Sequence, residues 1–221
     1  MTSLCSCQRH LLERQGYREL AASHLFSMGV PLAPSLDEKQ MLARHCLDEL
    51  EHFEAVAMLH EEEGGEDLIG RVAEEVRALP RPETWLEMVV IGIVFDRAVY
   101  YQLRAYAAAP DPRVASFAVR VIADEQEHLS AGQSALSDLE KKGLGGQAEL
   151  DALVARWLPH ALACFDEPLA GCPHGPHVSE AAQEEASKTY LASLAALLVP
   201  RGVAAARFAR CSAKKFSSHF L

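Results

Sequence analysis

The pentapeptide Asp48-Glu49-Leu50-Glu51-His52 returns 76 residues later as Asp124-Glu125-Gln126-Glu127-His128. In each copy a Glu and a His stand three positions apart, with an Asp directly before the Glu. On an α-helix, positions i and i+3 share one face, so a carboxylate and an imidazole spaced in this way can hold a single metal ion together. One Glu-x-x-His is unremarkable in an acidic helical chain. Two copies on separate helices, each supplemented by a carboxylate from a further helix, form a two-metal carboxylate site in a four-helix bundle. This requirement constrains the fold more than any other feature of the chain.

Helices are expected throughout. The 221 residues are 49% hydrophobic and 24% charged, ordinary for a globular protein, and no stretch alternates apolar and polar residues as a half-buried strand would. Pro and Gly divide the chain. A first helix over about 6–28 stops at Gly29-Val-Pro-Leu-Ala-Pro34, and a second, capped by Ser35 or Asp37, runs to about residue 63 and ends at Gly64-Gly65. A short segment over 67–78 precedes Pro80-Arg-Pro82, and a third long helix spans about 83–109. Asp111 caps a fourth helix with Pro112 at its first position, which reaches Lys142 before Gly143-Leu-Gly-Gly146. Two more helices are expected over about 147–164 and 179–198. The division is therefore a four-helix unit over 1–146 and a helical extension over 147–221 packed on it.

Core seams show where the repeated motifs point. Val114, Ala118, Val121, Glu125, His128, Gly132, Ala135 and Leu139 follow alternating steps of four and three, the spacing of a buried helix face. The second helix repeats the pattern with Leu42, His45, Glu49, His52, Val56 and Leu59. Glu and His thus occupy positions that belong to apolar residues, whereas a solvated acidic face would lie opposite the seam. Helix one carries Leu12, Glu19 and Phe26 at steps of seven, and helix three carries Val89, Asp96 and Leu103, offset by 77. The chain reads as a helical hairpin repeated once. Asp96 to Ala109 and Pro112 to Glu125 are each 13 residues, about 20 Å of helix, so both groups sit at one height in the bundle.

Four carboxylates in a core need compensation, because an unpaired buried charge is heavily penalised. Glu19, Glu49, Asp96 and Glu125 together carry −4, two divalent cations carry +4, and His52 and His128 can remain neutral. Oxygen-rich ligation with one nitrogen per metal suits iron or manganese. Asp48 and Asp124, four residues before His52 and His128, are placed to accept the N–H of a ligating imidazole. His45 reads as a core or supporting histidine, Glu51 and Glu127 as surface acids, and Glu13 and Glu87 as fallback carboxylates for helices one and three. Tyr100 is placed to line the site or fill the core.

The formal charge of −10 argues against a nucleic-acid partner, which needs a basic surface; the terminal cluster Arg207, Arg210, Lys214 and Lys215 reads as solvated tail. No apolar run has membrane-spanning length and none resembles a signal peptide, so the expected location is cytoplasmic, without membrane association. Cysteines 5, 7, 46, 164, 172 and 211 lack the density of a disulfide framework and are expected as free thiols. Cys164, Cys172, His174 and His177 match no standard zinc spacing, and their Pro/Gly-rich turn is expected to be a solvent loop.

At Glu19, Asp48-Glu49-x-x-His52, Asp96 within Val94-Phe-Asp-Arg-Ala98, and Asp124-Glu125-x-x-His128 followed by Gly132, the chain resembles the ferritin-like di-iron superfamily. More narrowly it is similar to the phenylacetyl-CoA epoxidase catalytic-subunit family, over roughly residues 8–142. The resemblance implies an all-α, ferritin-like antiparallel bundle with two iron ions and O₂ as co-substrate. It further implies that Glu19, Glu49, His52, Asp96, Glu125 and His128 are the catalytic metal ligands. The expected activity is that of a monooxygenase, hydroxylase or epoxidase, acting on a small or coenzyme A-linked organic substrate. No flavin or ferredoxin signature appears, so electrons are expected from a separate reductase; a homo-oligomer is compatible with the chain. Two other readings are a ferroxidase, peroxide-scavenging or iron-storage bundle, and a metal-free structural subunit.

Overall fold

A computed structural model describes residues 6–62, 64–165 and 178–209. Within them the chain forms α1 (Ser6–Gly29), α2 (Leu36–Glu62), α3 (Leu68–Arg77) and α4 (Trp85–Ile91). A π-helical turn (Gly92–Asp96) leads directly into α5 (Arg97–Tyr106), followed by α6 (Pro112–Lys141), α7 (Gln147–Ala163) and α8 (Glu180–Leu198). The expected punctuation operates through particular hydrogen bonds. Ser35 Oγ caps α2 by accepting from Glu38 N at 3.2 Å, and Asp111 Oδ1 caps α6 by accepting from Arg113 N at 2.9 Å. Both long motif-bearing helices end at a left-handed glycine, Gly64 at φ 75° and Gly143 at φ 68°. Beyond them Gly65 N bonds His60 O and Leu144 N bonds Leu139 O, each at 2.9 Å. These bonds satisfy carbonyls that the helix end would otherwise leave unpaired.

Helices α1, α2, α4–α5 and α6 make the four-helix bundle, with α3 laid on α1 and α7 and α8 packed on the far side of α4–α5. The third bundle helix is therefore surrounded, and every residue from Leu86 to Val99 is buried, as expected of a helix without a solvent face. A single apolar core runs through all of these elements and includes Trp157 of α7 and Tyr190 and Leu194 of α8.

The expected uninterrupted helix over 83–109 is corrected in two ways. It begins after Thr84, whose Oγ1 accepts from Glu87 N at 3.1 Å, and it widens into the π turn at 92–96. A π turn inserts one residue and disturbs the regular i→i−4 bonding, so its carbonyls need other partners. Arg97 Nε bonds Ile93 O at 3.1 Å, and the Tyr190 hydroxyl donates to Val94 O at 2.8 Å. Arg97 is itself held by Ser193 Oγ at 2.9 Å. Helix α8 thus pins the turn from outside the bundle. Glu87, the fallback carboxylate of helix three, ties α7 to α4 instead: it accepts from Trp157 Nε1 and pairs with Arg156 Nη1, both at 2.9 Å.

No helix among the described residues is long and apolar enough to cross a membrane. Of the Cys164, Cys172, His174 and His177 group only Cys164 lies within the described residues; it is buried. Arg210, Lys214 and Lys215 of the basic tail also lie outside them, whereas Arg207 pairs with Asp151.

Candidate metal centre

The six residues expected from the sequence meet at one level of the bundle. Glu19 comes from the middle of α1, Glu49 and His52 from α2, Asp96 from the last position of the π turn, and Glu125 and His128 from α6. Glu19, Glu49 and Glu125 are fully buried, and Asp96, His128 and His52 are nearly so. Their potential ligand atoms fall into two groups, each within 4.8 Å of one another. One holds Glu19, Glu49, His52 and Glu125; the other holds Glu49, Asp96, Glu125 and His128. Glu49 and Glu125 belong to both, so each hairpin lends its motif Glu to the other half. His52 Nδ1 lies 3.7 Å from Glu19 Oε2, 3.6 Å from Glu49 Oε2 and 3.8 Å from Glu125 Oε1. His128 Nδ1 lies 3.1 Å from Glu49 Oε1, 3.9 Å from Asp96 Oδ2 and 4.0 Å from Glu125 Oε2.

Buried polar atoms nearly always have partners, and each exception needs a reason. Here Glu19 Oε2, both oxygens of Glu49, Asp96 and Glu125, and Nδ1 of His52 and His128 are buried without a hydrogen bond. All of them belong to the six predicted residues and face one another. Seven oxygens and two nitrogens with converging lone pairs fit two oxygen-preferring divalent ions, with Glu49 and Glu125 between them.

Without metal, burial and mutual charge push the six groups in opposite directions. Burial raises the Glu49 carboxyl to about 8, with the nearby Glu19 and Asp96 charges adding to it against the donors of His128 and His52. Burial and the Glu49, Asp96 and Glu19 charges hold Glu125 well above the usual carboxylate range. Burial also lifts Asp96 to about 6. At Glu19 burial acts upward, but the His52 contact, with Glu49 and Gln15, outweighs it and holds the group low. Burial would lower both imidazoles; the carboxylates around them instead raise His52 to about 11 and His128 to about 9. Without metal, then, the site favours the protonated forms of Glu49, Glu125, His52 and His128 and the ionised form of Glu19.

The outer edges of the imidazoles correct one expectation. Asp48 and Asp124 do accept from histidine, but across the bundle and not along their own helices. His52 Nε2 faces Asp124 Oδ2 at 3.1 Å, and His128 Nε2 faces Asp48 Oδ2 at 3.2 Å. A side chain four residues N-terminal shares the helix face, but the imidazole reaches inward to the opposing helix, so the carboxylate there lies in its path. In a neutral, metal-ligating imidazole these contacts would place the hydrogen on Nε2 and leave the Nδ1 lone pair for the metal. The Asp124 and Asp48 side chains are 54% and 40% exposed, so they keep their hydration while touching groups that have none.

A buried relay with no signature in residue spacing supports Glu19. Gln15 Nε2 donates to Glu19 Oε1 at 2.5 Å, and Arg18 Nη1 donates to Gln15 Oε1 at 3.0 Å. The fully buried Arg18 is anchored by the Tyr106 hydroxyl at 2.7 Å and by Cys164 O at the end of α7 at 2.5 Å. His45 is no part of either ligand group; its ring stacks on His128 with centroids 3.9 Å apart. Burial, helped by His128 and Arg44, lowers it to about 3. Glu13 is engaged elsewhere, with Arg71 at 3.0 Å and His60 at 3.4 Å. Tyr100 packs on Tyr101, and Glu51 and Glu127 are exposed.

The family profile of the phenylacetic acid catabolic protein matches residues 7–199. The chain belongs to the phenylacetic acid catabolic protein family. This is a ferritin-like di-iron family, so the resemblance carried by the repeated motif holds. The match extends beyond residues 8–142 to include α7 and α8, which the motif residues alone did not indicate. One similar solved structure is "Protein 19 with aldehyde deformylating oxidase activity from Synechococcus", 20% identical, with a TM-score of 0.62 over 94% of this chain and 96% of that one. At that identity the likeness shows the ferritin-like helical fold. No curated protein matches the chain.

Two predictions follow from the geometry. Filling the site with two divalent ions should release protons from His52, His128, Glu49 and Glu125, whose protonated forms the metal-free site favours, and apparent affinity should fall as pH drops from 9 towards 6. A weakly buffered titration followed with a pH indicator measures the release; fewer than one proton per chain would contradict the assigned protonation. Asp124→Ala should weaken metal binding about 10–100-fold through His52. In a His52→Ala background it should then cost nothing further, whereas in a His128→Ala background the loss should persist; the reverse pattern would restore the same-helix pairing.

Proposed function

We propose that the protein is an O₂-activating di-iron oxidoreductase of hydroxylase or epoxidase type, acting on a small organic substrate with electrons from a separate reductase. The observation that carries this reading is the set of inward-facing, unpartnered ligand atoms lying beside an apolar pocket. That pocket reaches the His128 ring, and Phe26, Met88 and Val89 line it. Family membership supports oxygenase-type chemistry. Two iron ions held by Glu19, Glu49, His52, Asp96, Glu125 and His128 would supply the Lewis acidity and electrons for O₂ activation, with manganese as the alternative metal.

The remaining work falls to the protein. Glu49 and Glu125 hold the two halves of the site at a common level. The Nε2–H groups of His52 and His128, bonded to Asp124 and Asp48, fix the ring orientations and link a dry interior to carboxylates in contact with water. Gln15 and Arg18 hold Glu19 in one rotamer. Apolar walls exclude water from the face on which a substrate would lie, and this favours an organic substrate over hydrated iron as the species oxidised. We place the protein in the cytoplasm on the same reading.

Mixing the metal-free protein with a large Fe(II) excess in air separates this function from iron storage. Oxidation should halt after about two irons per chain, with no soluble mineral and no cage-sized particle on gel filtration. Sustained oxidation into a soluble, high-mass assembly would make the protein a ferroxidase.

A further inference from the structure

Helix α2 carries apolar side chains on two faces, and only one face is buried. Its inner face packs into the bundle with Leu42, Phe53 and Val56 beside Glu49 and His52. On the opposite face Leu36, Leu47, Leu50 and Met58 are 68%, 55%, 42% and 58% exposed, with exposed Ala43 and Glu54 between them. These six positions follow one another at steps of seven, four and three and lie within about 80° of the helix circumference. Half of the large hydrophobic side chains exposed among the described residues belong to this stripe. Scattered exposed hydrophobic residues are ordinary on a globular surface, whereas a seam at heptad spacing is the pattern by which one helix packs on another. Helix α2 packs on α1 and α6 and leaves this seam to solvent.

The charges beside the seam indicate what covers it. Arg44 and Glu51 are both exposed and stand on the same flank, two helical turns apart. Neither forms an ion pair with a described residue. A second α2 laid antiparallel on the first, with Leu47 against the partner's Leu50, brings Arg44 of each copy beside the partner's Glu51. The two-fold axis makes this match twice, and Ala43 leaves room for the stem of the partner's Glu54. A parallel pairing would set Arg44 on Arg44, Glu51 on Glu51 and Glu54 on Glu54. Like charges in contact oppose association, and flanking charges set the orientation of paired helices. The stripe is therefore complementary to itself in one direction only, as a two-fold contact between identical surfaces requires.

We infer that the outer face of α2 is the interface between two copies of this chain, which pair antiparallel through Leu47 and Leu50 with Arg44 and Glu51 as the orienting charges. One helix stripe is a small contact beside permanent interfaces, so the dimer is reversible. The stripe lies on the side of α2 away from Glu49 and His52, and the pairing does not depend on the chemistry proposed for the metal centre.

Sedimentation equilibrium of the full-length protein, purified with its metal, tests this across micromolar concentrations. A monomer–dimer equilibrium is expected. Leu47→Glu should raise the dimer Kd by about tenfold or more. Arg44→Glu and Glu51→Arg should each raise it about fivefold, because each creates two like-charge contacts. The double variant Arg44→Glu with Glu51→Arg restores opposite charges in reverse and should return the Kd to within about twofold of the parent. All three side chains are exposed, so helix content and melting temperature should stay at parent values, which assigns the losses to the contact. A monomer at every concentration would overturn the inference and leave the stripe to a different chain. A dimer indifferent to Leu47→Glu would place the contact on another face and overturn it as well. Single charge reversals without effect, or losses that the double variant fails to recover, would overturn the antiparallel pairing.

Discussion

Four carboxylates buried at one height of a helical bundle repel one another and have lost their water, and most of the architecture can be traced to that arrangement. The −4 of Glu19, Glu49, Asp96 and Glu125 can be neutralised in two ways. Protons, which burial and the neighbouring charges favour on Glu49, Glu125, His52 and His128, offset it in the metal-free chain; two divalent cations would do so in the loaded one. Either route relieves the repulsion among the four carboxylates. The two states differ in what they leave unpaired. In the metal-free chain the inward-facing ligand atoms lack well-formed hydrogen bonds, and bound metal ions would give them partners.

Holding such a site requires rigid supports outside it, and these are arranged in layers. Across the bundle, Asp48 and Asp124 exchange partners, so α2 and α6 are tied together twice through the imidazoles. Behind Glu19, the relay through Gln15 and Arg18 ends on the Cys164 carbonyl. Behind Asp96, Tyr190 and Arg97 occupy carbonyls of the π turn. Through these relays α7 and α8 support the two carboxylates that come from helices lacking the Glu-x-x-His motif. The motif helices brace each other, while the other two are braced from the C-terminal extension. Glu87, held between Trp157 and Arg156, fixes that extension to α4.

What could be read from residues alone follows the same division. Element order, caps and glycine stops were legible because they depend on local chemistry: Ser35, Asp111, Gly64 and Gly143 act where their types predict. The six clustered residues were legible because a charged group on an apolar seam contradicts its surroundings. The π turn was not, since no residue type marks an inserted position; Gly92 is permissive but not diagnostic. The Asp48 and Asp124 pairing came out crossed because sequence spacing describes one helix, whereas an inward-pointing imidazole meets its neighbour. The Gln15–Arg18–Cys164 relay joins residues 146 apart, a separation that periodicity cannot register.

Two ions would be held with Glu49 and Glu125 shared between them, one on the His52 side and one on the His128 side. Anomalous diffraction at the iron edge, from crystals grown anaerobically with Fe(II), tests this directly. Two peaks of comparable height are expected within the six-residue cluster, each adjacent to the Nδ1 atom of one histidine. A single peak, or iron bound elsewhere while the cluster remains protonated, would contradict it.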